Sequence, residues 1–491
     1  MTYVLPSQQP PDTSMDTKEI NLVSILHRPD ADDIKSTLLR KLDIRLIPLL
    51  SVLYLLCFLD RSNIGNAKLG GLEQDLHMDH FQYQWSLSIF FAGYIIFQVP
   101  SNIIMRRWRP AFWLSFLMLS WGIVATAMAA CSNFAGLMVC RLLLGCFEAG
   151  FFPGVIYMLS LWYTRQEYGR RVGLFFSFGS LAGAFGGILA YGISQIPTHT
   201  LATWQWLFII EGSPSILIAV FAAWYLPDKP EKAKFLTSDE RQLEVERLAE
   251  DAGVSKDQSF SWGQAASVYQ DWKLYVYIFI YLMGAIMIHG VTLFLPSIVA
   301  GMGEWTNAQA QLLTTPPYIL AFIATIAVGR SSDHFFERAW HMVGCDLLGI
   351  LGFLLLVLVP QHLVAVHYVA ACMVVIAVYA SVPAKVAWFT NNFGGLTRRA
   401  IASATIVSVG LVGGIFGGQI YYDGPEYKNG NTIVCACTAA QLTAVLFLRF
   451  RLARENKRRS QLSEHEKELE LAKYGGPTLI GDRHPDYRYV L

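Results

Sequence analysis

The stretch Leu46-Ile-Pro-Leu-Leu-Ser-Val-Leu-Tyr-Leu-Leu-Cys-Phe-Leu59 runs directly into Asp60-Arg61-Ser-Asn-Ile-Gly65. About 20 mainly apolar residues cross the hydrocarbon core of a bilayer as a helix, so this segment reads as a membrane span that carries a carboxylate and a guanidinium inside it. Eleven further stretches have the same character. The expected spans are 45–65, 84–105, 111–130, 134–160, 172–193, 205–226, 274–299, 309–329, 340–360, 363–388, 400–422 and 431–450. The charges lie where such spans leave room for them. The 491 residues are 54% hydrophobic and 15% charged, whereas a soluble protein carries about 25% charge. Of the 75 charged residues, 13 fall in 1–45, 17 in 227–273 and 17 in 449–491. Charge-poor stretches of this length exclude a soluble multidomain enzyme, a disordered chain and a collagen-like one.

A net charge of +1 with no concentrated basic face argues against a nucleic-acid partner. The eight cysteines sit mostly in apolar runs without ligand spacing, so they read as small buried hydrophobes and no metal site is expected. No nucleophile-base pair or phosphate loop is evident, so neither an enzyme nor a cofactor is expected. The first apolar run is long enough to stay in the membrane, so it does not read as a cleaved leader.

Lys and Arg are retained on the cytoplasmic side of short loops. One set of loops carries Arg106, Arg107 and Arg109; Arg165, Arg170 and Arg171; Arg330 and Arg338; and Arg398 and Arg399, while the other carries only Lys68 and Lys428. Both termini and the polar 227–273 segment are therefore expected in the cytoplasm. The organisation that follows is a tail over 1–44, a six-helix bundle over 45–226, a central loop over 227–273, a second six-helix bundle over 274–450 and a tail over 451–491. Within the central loop, Thr237-Ser-Asp-Glu240 has the pattern of a capping box opening a charged helix. The halves echo each other at an offset of about 230 residues: Arg170-Arg171 precedes a glycine-rich helix with Phe185-Gly186-Gly187, and Arg398-Arg399 precedes one with Phe416-Gly417-Gly418. The class is thus an all-α membrane protein of two pseudo-symmetric bundles, the organisation of a carrier that rocks about a midplane site. Gly179/Gly183 and Gly410/Gly414/Gly418 either permit that motion or pack static helices.

Several stretches resemble one family, the major facilitator superfamily, and within it the anion:cation symporters and the fungal allantoate permease group. They are Arg40-Lys-Leu-Asp-Ile-Arg-Leu-Ile-Pro48, Leu59-Asp-Arg-Ser-Asn-Ile-Gly-Asn-Ala67, Gly93-Tyr-Ile-Ile-Phe-Gln-Val-Pro-Ser-Asn102, and Arg141-x-x-x-Gly145-x-x-Glu148-Ala-Gly-x-x-Pro153. Phe208-Ile-Ile-Glu-Gly212, Gly329-Arg-Ser-Ser-Asp333, Asn391-Asn-Phe-Gly-Gly395 and Tyr487-Arg-Tyr-Val-Leu491 extend the likeness. Two places depart from the usual pattern. Trp204-Gln205-Trp206 stands where Trp-Arg-Trp is common, and Ser101-Asn102 stands where the general loop motif has an acid.

Ionisable groups at bilayer depth are costly and usually serve a cavity. Asp60, Arg61, Arg141, Glu148, Glu211 and Lys385 lie inside expected spans. Asp60 and Arg61, being adjacent, point about 100° apart, while Arg141 and Glu148 share one helix face two turns apart. A guanidinium is a fixed, permanently charged fork for a carboxylate, so Arg61 is the candidate for anion binding. Asp60 and Glu148 are the candidates for proton coupling, and the resemblance implies the same roles. Arg141 and Glu211 read as structural, with Asp333 a gating residue by the resemblance. Lys385 is expected to snorkel toward the cytoplasmic end of its helix. His289 is either a titrating cavity group or a packing histidine. Tyr94 and Gln98 are cavity-lining candidates from the resemblance, and Ser381 is one from position. The reading is a monomeric carrier that moves a small organic anion (a carboxylate, ureide or vitamin-like compound) inward with protons across a fungal plasma membrane. The rivals are an exporter or vacuolar carrier of a secondary metabolite on the same fold, and a receptor that binds without transport.

Overall fold

The computed structural model describes residues 31–196, 200–253, 262–394, 396–424, 426–473 and 481–491. Most of the N-terminal tail, part of the central segment, Gly395 and the side chains of Arg106, Arg165 and Arg170 lie outside the described residues.

Twelve helices among the described residues are long and apolar enough to cross a membrane. They are α1 (Asp33–Leu69), α2 (His80–Met105), α3 (Pro110–Ala130), α4 (Phe134–Ser160), α5 (Arg171–Ser194), α6 (Thr203–Tyr225), α7 (Trp272–Ala300), α8 (Asn307–Phe335), α9 (Ala339–Leu358), α10 (Val364–Asn391), α11 (Thr397–Ile420) and α12 (Lys428–Ser460). Outside the apolar runs the ends are set by caps. Asp79 accepts from Gln82 N at 2.7 Å while the Gln82 side chain accepts from Asp79 N, and Thr306 pairs with Gln309 in the same way. The Thr237/Glu240 box also forms and opens a charged helix over Ser238–Gly253. Apolar residues at Leu217, Val220, Phe221 and Trp224 of α6 lie on one exposed stripe, the face a membrane helix turns to lipid.

α1 and α12 outrun their apolar cores. α1 starts well ahead of residue 45 because Leu38, Leu42 and Leu46 form a fully buried stripe at helical spacing.

The offset between the halves is visible in packing. Gly183 and Gly187 of α5 lie against Tyr318, Gln311, Thr314 and Thr315 of α8, and Gly414 and Gly418 of α11 lie against Phe91, Leu87 and Ser88 of α2. Gly179 meets Tyr54 of α1 within the first half, as Gly410 meets Tyr281 of α7 within the second. The two pairs of contacts recur at nearly the same sequence offset, with α5 on α8 and α11 on α2 joining the halves.

Hydrogen bonds between the halves gather at the face opposite the termini. Asn307 Nδ2 donates to Leu69 O at 2.8 Å, Gln311 Nε2 to Asn66 O at 3.2 Å, Ser88 Oγ to Ile415 O at 3.0 Å and Gln84 Nε2 to Gln419 O at 3.3 Å. Among the described residues the inter-half bond nearest the termini is Ser408 Oγ to Gln98 Oε1, 3.0 Å. The halves are therefore closed on one side of the site and less joined on the other.

On the terminal face, the C-terminal residues fold back onto the second half. Asp482 is fully buried between Lys273 (2.5 Å) and Arg398 (3.2 Å), and Asp271 pairs with the same two cations at 3.4 and 3.0 Å. Trp388 Nε1 donates to Val490 O at 2.8 Å, and Asn392 both donates to Val490 O and accepts from Val490 N. The terminal Tyr487–Leu491 motif is thus a docked segment, and Asp482, ahead of it, is its buried anchor.

Candidate functional site

Between the halves are two small spaces, which share Phe58 as a wall. The first is lined by Arg61, Phe90, Phe91, Arg141, His289 and Thr292, among others. Tyr54, Gly179, Tyr379 and Pro383 border the second.

Arg61 defines the first space. Its Nη2 and Nε donate to Glu148 Oε2 at 2.8 and 3.1 Å. The guanidinium carbon lies 5.1, 5.1 and 5.2 Å from the ring centres of Phe58, Phe90 and Tyr94, within cation–π range. One wall of the cavity is therefore a cation fixed by aromatic rings and held by one carboxylate oxygen. The Cys57 thiol donates to the same oxygen at 3.5 Å, while Glu148 Oε1 is buried without a hydrogen-bond partner. Gly145, one turn before Glu148, lets α4 come close, since a Cβ there would stand 2.0 Å from Phe90 O.

Asp60 turns away from Arg61, as adjacency on a helix requires. It is fully buried and accepts from Ser215 Oγ of α6 at 2.8 Å, and its Oδ1 has no partner. Glu211, one turn before Ser215, is buried with both carboxyl oxygens unpartnered and lies toward Asp60 and Asn63. Arg141 spans the two groups. Its Nη1 donates to Arg61 O at 3.5 Å, its Nε and Nη2 have no partner, and it lines the cavity rather than a packing seam.

The other expected residues divide. Tyr94 is buried against Arg61, and His289 faces the cavity with its ring 4.5 Å from that of Phe91. Gln98 joins the halves through Ser408. Ser381 lines neither space, and its hydroxyl donates to Val378 O of its own helix at 3.1 Å. Asp333 lies at the α8–α9 turn and pairs with Arg338 at 2.6 Å. At the two departures from the family pattern, Gln205 caps α6 and donates to Ala129 O at 2.9 Å, and Ser101 accepts from Trp113 Nε1 at 3.0 Å. Neutral polar groups tie these helix ends where charges are usual.

Lys385 differs from its expectation. It does not snorkel: it is buried and donates to Gln441 Oε1 at 2.9 Å, while Gln441 Nε2 donates to Asp346 Oδ1 at 2.6 Å. Gly284 of α7 leaves the space, since a Cβ there would stand 1.9 Å from Lys385 Nζ. Sequence reading passed over Asp346 and Gln441, although a lone carboxylate in an apolar span was signal enough. It also missed Thr292 of α7, whose hydroxyl is 2.8 Å from that of Tyr379.

Two helical bundles around a charged, enclosed space define a multi-pass membrane carrier. The Major Facilitator Superfamily profile matches residues 50–422, and the chain belongs to that family. It is 37% identical over 415 residues to the "MFS transporter prlL" of a fungal species, covering 83% of each chain. It is 31% identical over 458 residues to the "High-affinity nicotinic acid transporter" of Saccharomyces cerevisiae, covering 92% of this chain and 84% of that one. Among solved structures it superposes on the partially occluded inward open xylose transporter XylE from E. coli, with a TM-score of 0.62 and 15% identity over 82% of this chain and 96% of that one. A bacterial homologue of the human lysosomal transporter Spinster, inward-facing and unoccupied, gives a TM-score of 0.61 and 16% identity over 82% and 94%. The protein is a transporter and not an enzyme.

Proposed function

We propose that the protein is a proton-coupled symporter of a small organic anion, working by alternating access, of the anion:cation symporter type and close to the allantoate permease group. The observation that carries this reading is the Arg61–Glu148 contact: a cavity-wall guanidinium held by one oxygen of a carboxylate whose other oxygen has no partner. A substrate carboxylate competes for the same fork of donors. When Glu148 takes a proton, its hold on Arg61 weakens and the guanidinium becomes available to the anion. When that proton leaves, Glu148 reclaims Arg61 and the anion is released. Proton and anion therefore load and unload together, which is symport. Arg61 itself stays charged throughout.

The surrounding groups suit that exchange. Phe58, Phe90 and Tyr94 keep the guanidinium in place when Glu148 lets go. Arg141 sits between Glu148 and Asp60 and links their charge states. Asp60, bonded to Ser215 and turned out of the cavity, is a second proton carrier rather than a substrate ligand. His289 and Thr292 supply the facing wall from α7. The nicotinic acid transporter among the relatives supports a small carboxylate as the cargo. The loop arginines support cytoplasmic termini, which makes the closed face external and the structure inward-facing. A plasma membrane location and a monomeric state complete the reading.

The test is purified carrier in liposomes, with labelled nicotinic acid as the first of a series of small carboxylates. Under an imposed pH gradient, uptake should build up on the side opposite the acidic compartment, and adding the carboxylate should alkalinise the medium from which it is taken. Transport without proton movement would refute coupling, and accumulation within the acidic compartment would favour an exporter or vacuolar antiporter.

A further inference from the structure

Asp346, Gln441 and Lys385 belong to α9, α12 and α10, and the cavity around Arg61 uses none of them. They form a chain of opposite charges joined by an amide: Lys385 donates to Gln441 Oε1 at 2.9 Å, and Gln441 donates to Asp346 Oδ1 at 2.6 Å. Asp346 is 1% exposed, and its Oδ2 is buried with no hydrogen-bond partner. The titratable groups that face it are Lys385 from α10 and Cys345 from its own helix; α12 offers the Gln441 amide, and Gly284 of α7 lies against Lys385 and Gln441.

A carboxylate one amide away from the cation that faces it, with an unpartnered oxygen in an apolar core, has two states that the site can support. Ionised, it is the counter-ion of Lys385 at a distance. Protonated, it needs no partner on Oδ2 and leaves the ammonium uncompensated. No rearrangement separates them, because Gln441 bonds Oδ1 in both.

Depth gives the site its place. Asp346 is seven residues into α9 and Lys385 six from the end of α10, both about 10 Å inside the terminal face at 1.5 Å per residue. Glu148 lies near the middle of α4. The two carboxylates belong to different halves at different depths.

The geometry points to Asp346 as a further protonation site, distinct from Glu148 and Asp60 and nearer the terminal face, that sets how transport responds to pH on that side. It acts as a positioning group, through the charge it leaves on Lys385, and does not touch substrate. The proposal takes from the symport reading only its place in the cycle; the proton on Asp346 is detectable without any substrate.

The experiment is infrared difference spectroscopy of the carrier in liposomes of known orientation, with the terminal-side buffer taken from alkaline to acidic. Wild type should gain a carboxylic-acid C=O band that Asp346→Asn lacks and Asp346→Glu keeps. An equal band in folded Asp346→Asn would overturn the assignment. Should that variant not fold, Lys385→Gln serves, and its band should titrate at a more alkaline pH because the nearby cation is gone. An unmoved midpoint would overturn the assignment equally. In flux measurements Asp346→Asn should flatten the response to terminal-side pH and spare the response to pH on the other side. A profile identical to wild type would overturn the functional part. Proton flux without the Asp346 band sinks this site alone, while the band without carboxylate-driven proton flux sinks the symport reading and leaves the site.

Discussion

Gly65 stands where α1 crosses α7 near the closed face, and replacing it by Ala tests whether that face opens. An added Cβ would lie 2.5 Å from Leu293 O and 3.7 Å from Pro296 Cγ, whereas ordinary contact begins at 3.4 Å. The backbones must separate by roughly 1 Å, and overpacking of this kind costs about 1–3 kcal/mol. Because α1 and α7 belong to different halves, the cost falls on the state closed at this face and not on the state open there. A shift of that size changes the ratio of the two states by about 5- to 150-fold. Spin labels at Gln74 and Glu304, both exposed on this face, report it by double electron–electron resonance. Gly65→Ala should populate a longer distance than wild type. Gly145→Ala is the control, since its Cβ would stand 2.0 Å from Phe90 O within one half; it should lower the melting temperature and leave the distance distribution alone. A folded Gly65→Ala with the wild-type distribution would refute the reasoning that this crossing is a contact of one state only.

Three further outcomes follow from named contacts. Arg61→Lys keeps the charge but loses the two-donor grip that holds Glu148 at 2.8 and 3.1 Å, so carboxylate affinity should fall about tenfold or more, the worth of one such bond at roughly 1.5–3 kcal/mol; equal affinity in a titration would place the anion elsewhere. Asp482→Asn removes one of the two carboxylates that buried Lys273 and Arg398 share, Asp271 being the other, and should cost less than the roughly 3–5 kcal/mol of a buried charge left with no partner, seen as a lower melting temperature and protease cleavage of the released tail; in wild type, burial works against ionisation of Asp482 but those two cations hold its carboxyl below the usual range, so this contribution is lost only as pH falls through that depressed value. Glu244 lies in the charged helix over Ser238–Gly253, which Lys41–Glu240 (2.5 Å) and Arg247–Glu167 (2.7 Å) hold in place, and it behaves oppositely: burial pushes its carboxyl up to about 7 against the pull of Arg247, so the packing of that helix is favoured in acid and weakens as pH rises through neutrality. Hydrogen exchange in that helix, corrected for intrinsic rates, should be slower below neutral pH than above it in wild type and indifferent to pH in Glu244→Gln.

The spans were legible because lipid demands long apolar helices with internally bonded backbones, and the centre of each was placed by composition alone. Their ends were not, since α1 begins inside a polar stretch whose Leu38 and Leu42 are buried only by tertiary packing. At the site, charges inside apolar runs drew attention to Asp60, Arg61 and Glu148, and adjacency on a helix separated the first two. Which carboxylate would take the arginine depended on Ser215 of α6, some 150 residues away, engaging Asp60. Arg141 read as structural because its helix face was known but not what lay opposite it. Lys385 was expected to reach for the surface because its partners, Asp346 and Gln441, come from two other helices and its space from a missing Cβ on a third. The terminal motif was legible as a resemblance, yet its docking rests on Lys273, Arg398, Trp388 and Asn392, which only the folded chain brings together.

The central claim is that Glu148 exchanges a proton for its hold on Arg61, and Glu148→Gln isolates that step. The amide copies the neutral carboxyl in shape and cannot release a proton, so labelled nicotinic acid, or whichever carboxylate the liposome screen identifies, should still exchange across the membrane when present on both sides. The same variant should fail to accumulate it under an imposed pH gradient and should move no protons when it is added. Accumulation equal to wild type in Glu148→Gln would contradict the claim.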